Sequence, residues 1–189
     1  YSFPQLAAAR AGSGTVSAIN PLQLAAFSEY LALSSGVQSE GYSVTIPPLD
    51  EDNMALSNID SQSDAKALGR LNVKYVIASY PIENLGLIEN WSSGSAHVYK
   101  NTEVMPRAWI EDETGKQVGD VKILKISPGN IVVEAHGPGN LILSEVDYPG
   151  WNVKVNQKPV EKLRIDNLFL GVKLDAGQQQ VEFYYQPML

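Results

Sequence analysis

The chain has 189 residues, no cysteine and two histidines, and its 14 basic against 21 acidic side chains leave a net charge of −7. Without cysteine there is no disulfide scaffold and no cysteine-based zinc site, and the acidic balance argues against a nucleic-acid binder, which needs a basic footprint. With 44% hydrophobic and 19% charged residues, the composition is that of an ordinary soluble domain rather than a disordered tail.

The chain does not begin with Met, and Tyr1–Arg10 lacks the basic start and apolar core of a signal peptide. It therefore reads as a mature chain or a piece of a longer one. Asn20-Pro21 opens the first helical pattern, because Asn caps and Pro suits the first helical position. Leu22, Ala25, Ala26, Glu29, Tyr30 and Leu33 follow at three- and four-residue spacing, with Gly36 as the stop. The apolar stretches Leu22–Leu33 and Leu168–Leu174 are broken by polar residues and fall short of the ~20 apolar residues a membrane span needs. Gly41–Ile59, with Pro47-Pro48 and the acidic run Asp50-Glu51-Asp52, reads as an exposed loop. A second helix is expected after Ser61 or Ser63, with Ala65, Leu68 and Leu71 on one side. The β-branched and aromatic Val73–Ala78 reads as a buried strand. Trp91–Ser95 reads as a loop and Ala96–Tyr99 as a short strand.

From Pro106 onward the pattern is strand and turn. Strands are expected at Arg107–Glu111, Val121–Ile126, Asn130–His136 and Asn140–Val146, with turns at Thr114-Gly115, Ser127-Pro128-Gly129 and Gly137-Pro138-Gly139. Trp151, Val153 and Val155 alternate with polar residues. Leu168, Leu170, Val172 and Leu174 do the same, as do Val181, Phe183 and Tyr185, and Asp175-Ala176-Gly177 reads as the hairpin between these last two strands. Residues 1–105 carry 5 basic and 10 acidic side chains and residues 106–189 carry 9 and 11. The fold class that follows is α+β, a mixed α/β lobe over 1–105 and an antiparallel β-sandwich over 106–189.

The chemistry-bearing residues point to no reaction. His97 and His136 sit in strand-like segments, neither at metal-binding spacing, and no nucleophile elbow precedes them. Asp50, Glu51, Asp52 and Asn53 offer oxygen ligands but lack the alternate spacing, central Gly and distal Glu of a calcium loop. Glu111, Asp112, Glu113, Glu145 and Asp147 could supply a pair of carboxylates for glycoside hydrolysis only if the fold set two of them at the right separation. Trp91, Trp109, Trp151 and Tyr148 could form a sugar-stacking platform. Trp109 and Trp151 alternate in strands and read as core; Trp91, in a Ser/Gly-rich segment, is the candidate glycan contact. No catalytic residue, cofactor or metal is expected.

One segment is more specific. Leu141–Asn156, an apolar strand running into Tyr148-Pro149-Gly150-Trp151 and a second strand, resembles the C-terminal domain of YfhO-like bacterial membrane proteins. Phe169–Gly177 and Gln180-Val181-Glu182-Phe183-Tyr184-Tyr185-Gln186-Pro187 are similar to the family's closing strands. Leu71–Ile77, Val98–Asn101 and Met105–Ala108 look like earlier pieces of it. The turn Asn156-Gln157-Lys158-Pro159 departs from the family, which tends to Asp-Gly there. The resemblance implies a parent with many transmembrane helices, similar to glycosyltransferases that use lipid-linked sugars, whose active-site carboxylates lie outside this chain. It implies a non-catalytic extracytoplasmic domain at the bacterial cell membrane, partnered by the rest of its own protein, with a glycan as a candidate further partner; the acidic charge argues against nucleic acid. The alternative is a stand-alone secreted carbohydrate-binding module.

Overall fold

A computed structural model of the chain describes residues 14–16, 24–37 and 57–187. Asn20, Pro21 and the acidic run Asp50–Asn53 lie outside the described residues. The chain divides into two compact units, Tyr1–Val104 and Met105–Leu189.

In the first unit, helix α1 (Ala25–Ser35) ends at Gly36, whose φ of 73° lets its N–H return to the Ala32 carbonyl at 3.0 Å. Helix α2 (Ala65–Arg70) is capped by Asp64, which accepts from the N–H groups of Lys66 and Ala67. The cap is therefore Asp64 and not the expected Ser61 or Ser63, because a carboxylate one residue later reaches the same orphan donors. Ser63 instead donates to the Ser35 carbonyl at 3.0 Å, tying the two helices together.

Strands β1 (Tyr75–Ala78), β2 (Leu87–Ser93) and β3 (Ala96–Asn101) form an antiparallel sheet in the order β1-β3-β2. Its inner face carries Val76, Ala78, Leu87 and Tyr99, clustered with Ala65 and Ile82. Asn101, fully buried, donates to the carbonyls of Ala65 and Val73 at 2.9 and 3.0 Å and so joins α2 to the sheet. Two expectations are corrected. Trp91–Ser93 is the end of β2 and not a loop, since it pairs with β3 through a bulge between Glu89 and Trp91. β1 is half-buried and not buried, for Tyr75 and Ile77 point away from the inner face.

The second unit is one eight-stranded, wholly antiparallel sheet, built on two 17-residue strands, β7 (Asn130–Val146) and β11 (Phe169–Tyr185), paired along most of their length. The first half of β7 takes β6 (Asp120–Ser127) on its free edge; the second half takes β4 (Ala108–Glu111), which carries β5 (Gln117–Val118). On β11 the first half takes β10 (Leu163–Ile165) and the second takes β8 (Trp151–Val155), followed by β9 (Lys158–Val160). The sheet changes partners where Gly137-Pro138-Gly139 faces Asp175-Ala176-Gly177, with a register shift between Leu174 and Gly177. Neither segment is the turn or hairpin its composition predicts. Each is a corner inside a continuous strand, because the ladder resumes on both sides of the irregularity.

Inward-facing side chains from both halves form one core: Ile131, Val133, Val153, Val181 and Phe183 from one, Ile110, Leu141, Leu143, Leu170 and Val172 from the other. In the first half the outer face is polar. Glu182 accepts from Asn130 at 2.7 Å and lies 3.7 Å from the Lys154 ammonium, the alternation of an antiparallel sheet with one wet face. In the second half both faces are buried, with Trp109 and Ile142 paired on the face opposite Ile110 and Leu141. The hairpin β8–β9 turns at Asn156 and Gln157, both with positive φ (49° and 67°), as a two-residue turn of mirror type requires. Asn-Gln thus does the work that Asp-Gly does more easily.

Candidate functional site

Among the described residues, large apolar side chains gather in the open on the outward face of the three-stranded sheet. Its register puts Ile77, Val98 and Trp91 in one row across β1, β3 and β2, and Tyr75, Lys100 and Ile88 in the next. Alternation along β1 and β3, and on β2 the extra residue of the bulge between Glu89 and Trp91, turn all six to the same side. Strand spacing makes the array about 10 Å wide, with its rows about 7 Å apart. Trp91 is 54% exposed, Tyr75 48%, Ile77 56% and Ile88 57%, values far from those of a core. The Lys74 ammonium stands 5.6 Å from the Tyr75 ring centroid, within cation–π range. Leu85, in the turn that leads into β2, is fully exposed.

Trp91 is therefore placed as its sequence context predicts, open to solvent. The other members of the imagined aromatic platform are not. Trp109 is buried, edge-on to Phe169 with centroids 6.4 Å apart, and its indole N–H donates to Glu111 at 2.8 Å. Trp151 is buried and edge-on to Tyr185, and Tyr148 packs against the core. Sequence reading missed Tyr75, Ile77, Ile88 and Lys100 as neighbours of Trp91. The usable signal was the turn Ser93-Ser95 around Gly94, since a hairpin there sets Trp91 opposite Val98 and the remaining pairs follow.

The carboxylates are tied into structure. Asp147, buried, is held by Lys162 and, at 2.8 Å, by the Nε of Arg164. Its own N–H donates to the Leu168 carbonyl at 2.7 Å, so this clamp fixes the Tyr-Pro-Gly-Trp turn. Arg107 binds both Glu145 and the Ser144 carbonyl. Asp112 accepts from the Thr114 hydroxyl at 2.6 Å and from the N–H groups of Thr114 and Lys116, and the Thr114 hydroxyl foremost holds its carboxyl below the usual range. His97 meets Glu89 at 2.7 Å on the inner side of the hairpin, and this bond, first among its causes, lowers the Glu89 carboxyl. Ser92 also bonds Glu89. The hydroxyl thus serves the carboxylate and not the imidazole, the reverse of what a Ser-His-Glu relay needs. His136 is exposed on β7. Among the described residues no group of three or more His, Asp or Glu is placed to hold a metal ion, and no helix is long and apolar enough to cross a membrane.

Compared with known families, residues 120–189 match the family described as bacterial membrane protein YfhO. That range takes in the Tyr-Pro-Gly-Trp turn and the whole of β11, which runs through both closing segments. The earlier resembling pieces, Leu71–Ile77, Val98–Asn101 and Met105–Ala108, lie before it, as does the open face around Trp91. No curated protein and no solved structure matches significantly.

Proposed function

We propose that this chain, with its YfhO-like domain at residues 120–189, is a non-catalytic extracytoplasmic domain of a polytopic bacterial membrane protein resembling glycosyltransferases that use lipid-linked sugars. Trp91 then helps to hold the glycan acceptor. The membrane part of the reading is supported by the family match. The glycan part is supported by the exposure of Trp91 on the outward sheet face, because an indole ring left open offers a pyranose a stacking surface. Asp112, Glu145 and Asp147 serve a turn and two clamps, which is consistent with chemistry carried elsewhere in the parent.

Two measurements test the two parts. The chain contains no cysteine, so Glu113→Cys in an exposed turn gives a label site. In intact cells expressing the whole reading frame, a membrane-impermeant maleimide is expected to label the variant and not the parent sequence; labelling only after lysis overturns the extracytoplasmic side. A reading frame without hydrophobic helices moves the chain to the alternative, a secreted carbohydrate-binding module. Calorimetry against cell-wall and exopolysaccharide fragments is expected to show binding that Trp91→Ala weakens at least tenfold, a stacking loss of ~1–3 kcal/mol by analogy with other aromatic stacks. Silence across the panel ends the glycan role.

A further inference from the structure

We propose that the open face of the three-stranded sheet rests on the surface of an anionic lipid bilayer. The inference depends on the membrane-protein part of the reading above and not on the glycan contact. Exposed apolar faces mark docking surfaces in general; composition and charge select the occupant here. Trp and Tyr are the side chains that settle at the headgroup level, where a ring can be apolar while its N–H or O–H stays wet. Trp91 and Tyr75 occupy diagonal corners of the array, and Ile77 and Ile88 the other two. Such a face would lower two aliphatic chains past the headgroups while the two polar tips remain among them.

The charge on the face is of one sign. Neither row carries an acidic residue, although the chain as a whole is at −7. Lys100 stands between Tyr75 and Ile88 and is exposed, and Lys74 lies over the Tyr75 ring. A lysine stem can lie along apolar neighbours while its ammonium reaches a phosphate, and basic groups are attracted to anionic leaflets. Glu89 alternates to the other side of the hairpin and is engaged with His97. A cationic face on an acidic chain also sets orientation, since an anionic leaflet repels the rest. A glycan carried on a lipid stands in that same headgroup layer, so contact with lipid does not compete with the proposed role of Trp91.

The test uses the full 189-residue chain. Trp109 and Trp151 are buried and Trp91 is exposed, so a change in indole emission on mixing with vesicles reports Trp91. Vesicles of phosphatidylglycerol and phosphatidylethanolamine are expected to co-sediment the chain, shift its emission to the blue and quench it when the acyl chains are brominated. Phosphatidylcholine vesicles should do so weakly. Lys100→Gln is expected to reduce partitioning about fivefold, and added salt to reduce it further. The double variant Ile77→Asn, Ile88→Asn should abolish it with an unchanged melting temperature, both positions being exposed. Absence of sedimentation with anionic vesicles at low salt overturns the proposal, as does full binding by the double variant. A blue shift that grows with protein concentration alone would assign the face to a second copy, and one produced only by soluble glycans would assign it to sugar; either result also overturns it. None of these failures touches the cysteine labelling or the glycan titration, so the two readings fall separately.

Discussion

Single side chains in this molecule mostly hold turns, and their titration should show it. Glu89 and Asp112 both have carboxyls below their usual range, the first through His97 and the second through Thr114. A depressed folded value means that the unfolded chain binds protons more readily, so each group's contribution is complete above ~pH 5 and is lost as pH falls through the folded value. NMR titration should place both midpoints below those of the unfolded chain, and His97→Gln should raise Glu89 while leaving Asp112 in place. An unmoved Glu89 would mean that the hydrogen bond does not persist in solution. Asp147 is a different case, because it is buried between Lys162 and Arg164. Asp147→Asn removes the charge and leaves two cations facing an amide. Their side chains are 31% and 47% exposed, so water can recover much of the loss, and the expected cost is about 1–3 kcal/mol in urea denaturation rather than the larger figure of a fully buried pair. None of this was legible beforehand. The charges were visible, but Lys162 and Arg164 meet Asp147 only because β10 folds back beside the start of β11.

At the level of elements, the sequence was most readable where one strand meets solvent on one side and core on the other. Trp151–Val155 and the region around Val181 and Phe183 alternate plainly, and both are strands, with Trp151, Val153, Val181 and Phe183 buried. The antiparallel β character expected from residue 106 onward is what the structure has. Sequence alone breaks the long strands in two because Gly-Pro-Gly and Asp-Ala-Gly are turn compositions, and composition does not distinguish a reversal from a corner. The distinction is made by pairing: the halves of β7 and β11 keep each other as partners across the irregularity, which only a folded sheet reveals. Gly139 shows why the corner needs its residue. Its φ is +143°, and a Cβ there would stand 2.6 Å from the Ile110 Cγ2 and 2.7 Å from the Glu111 carbonyl oxygen. Gly177, on the facing strand, has φ +98° but open space around that position. Gly139→Ala should therefore cost about 3 kcal/mol or more, backbone strain plus collision. Gly177→Ala should cost only the strain, about 1–2 kcal/mol. Equal melting temperatures for the two variants would show that the collision relaxes freely and that the corner is not pinned there.

For the whole molecule the question is whether the unit that contains the family-matched segment carries its own stability. The core that spans both halves of the bent sheet draws on β4, β7, β8 and β11, with Val118, Val121, Ile123, Tyr148 and Val155 packed against it. All of these lie within Met105–Leu189, the second compact unit. The same holds for the clamps, since Asp147 with Lys162 and Arg164, and Arg107 with Glu145, are closed inside it. A unit that owns its core, its ladder and its ion pairs should fold without the preceding residues, since it is longer than the roughly 55–65 residues at which many domains fold alone. Residues 105–189 expressed alone are expected to give a dispersed amide spectrum and a single cooperative unfolding transition. Both faces are buried around Trp109 and Ile142 in the intact chain, and that region decides how stable the isolated piece is. If the Trp109 emission stays blue in the isolated piece, the cover over that face comes from the unit itself. An unfolded spectrum would show that the unit does not hold its fold without the residues before it.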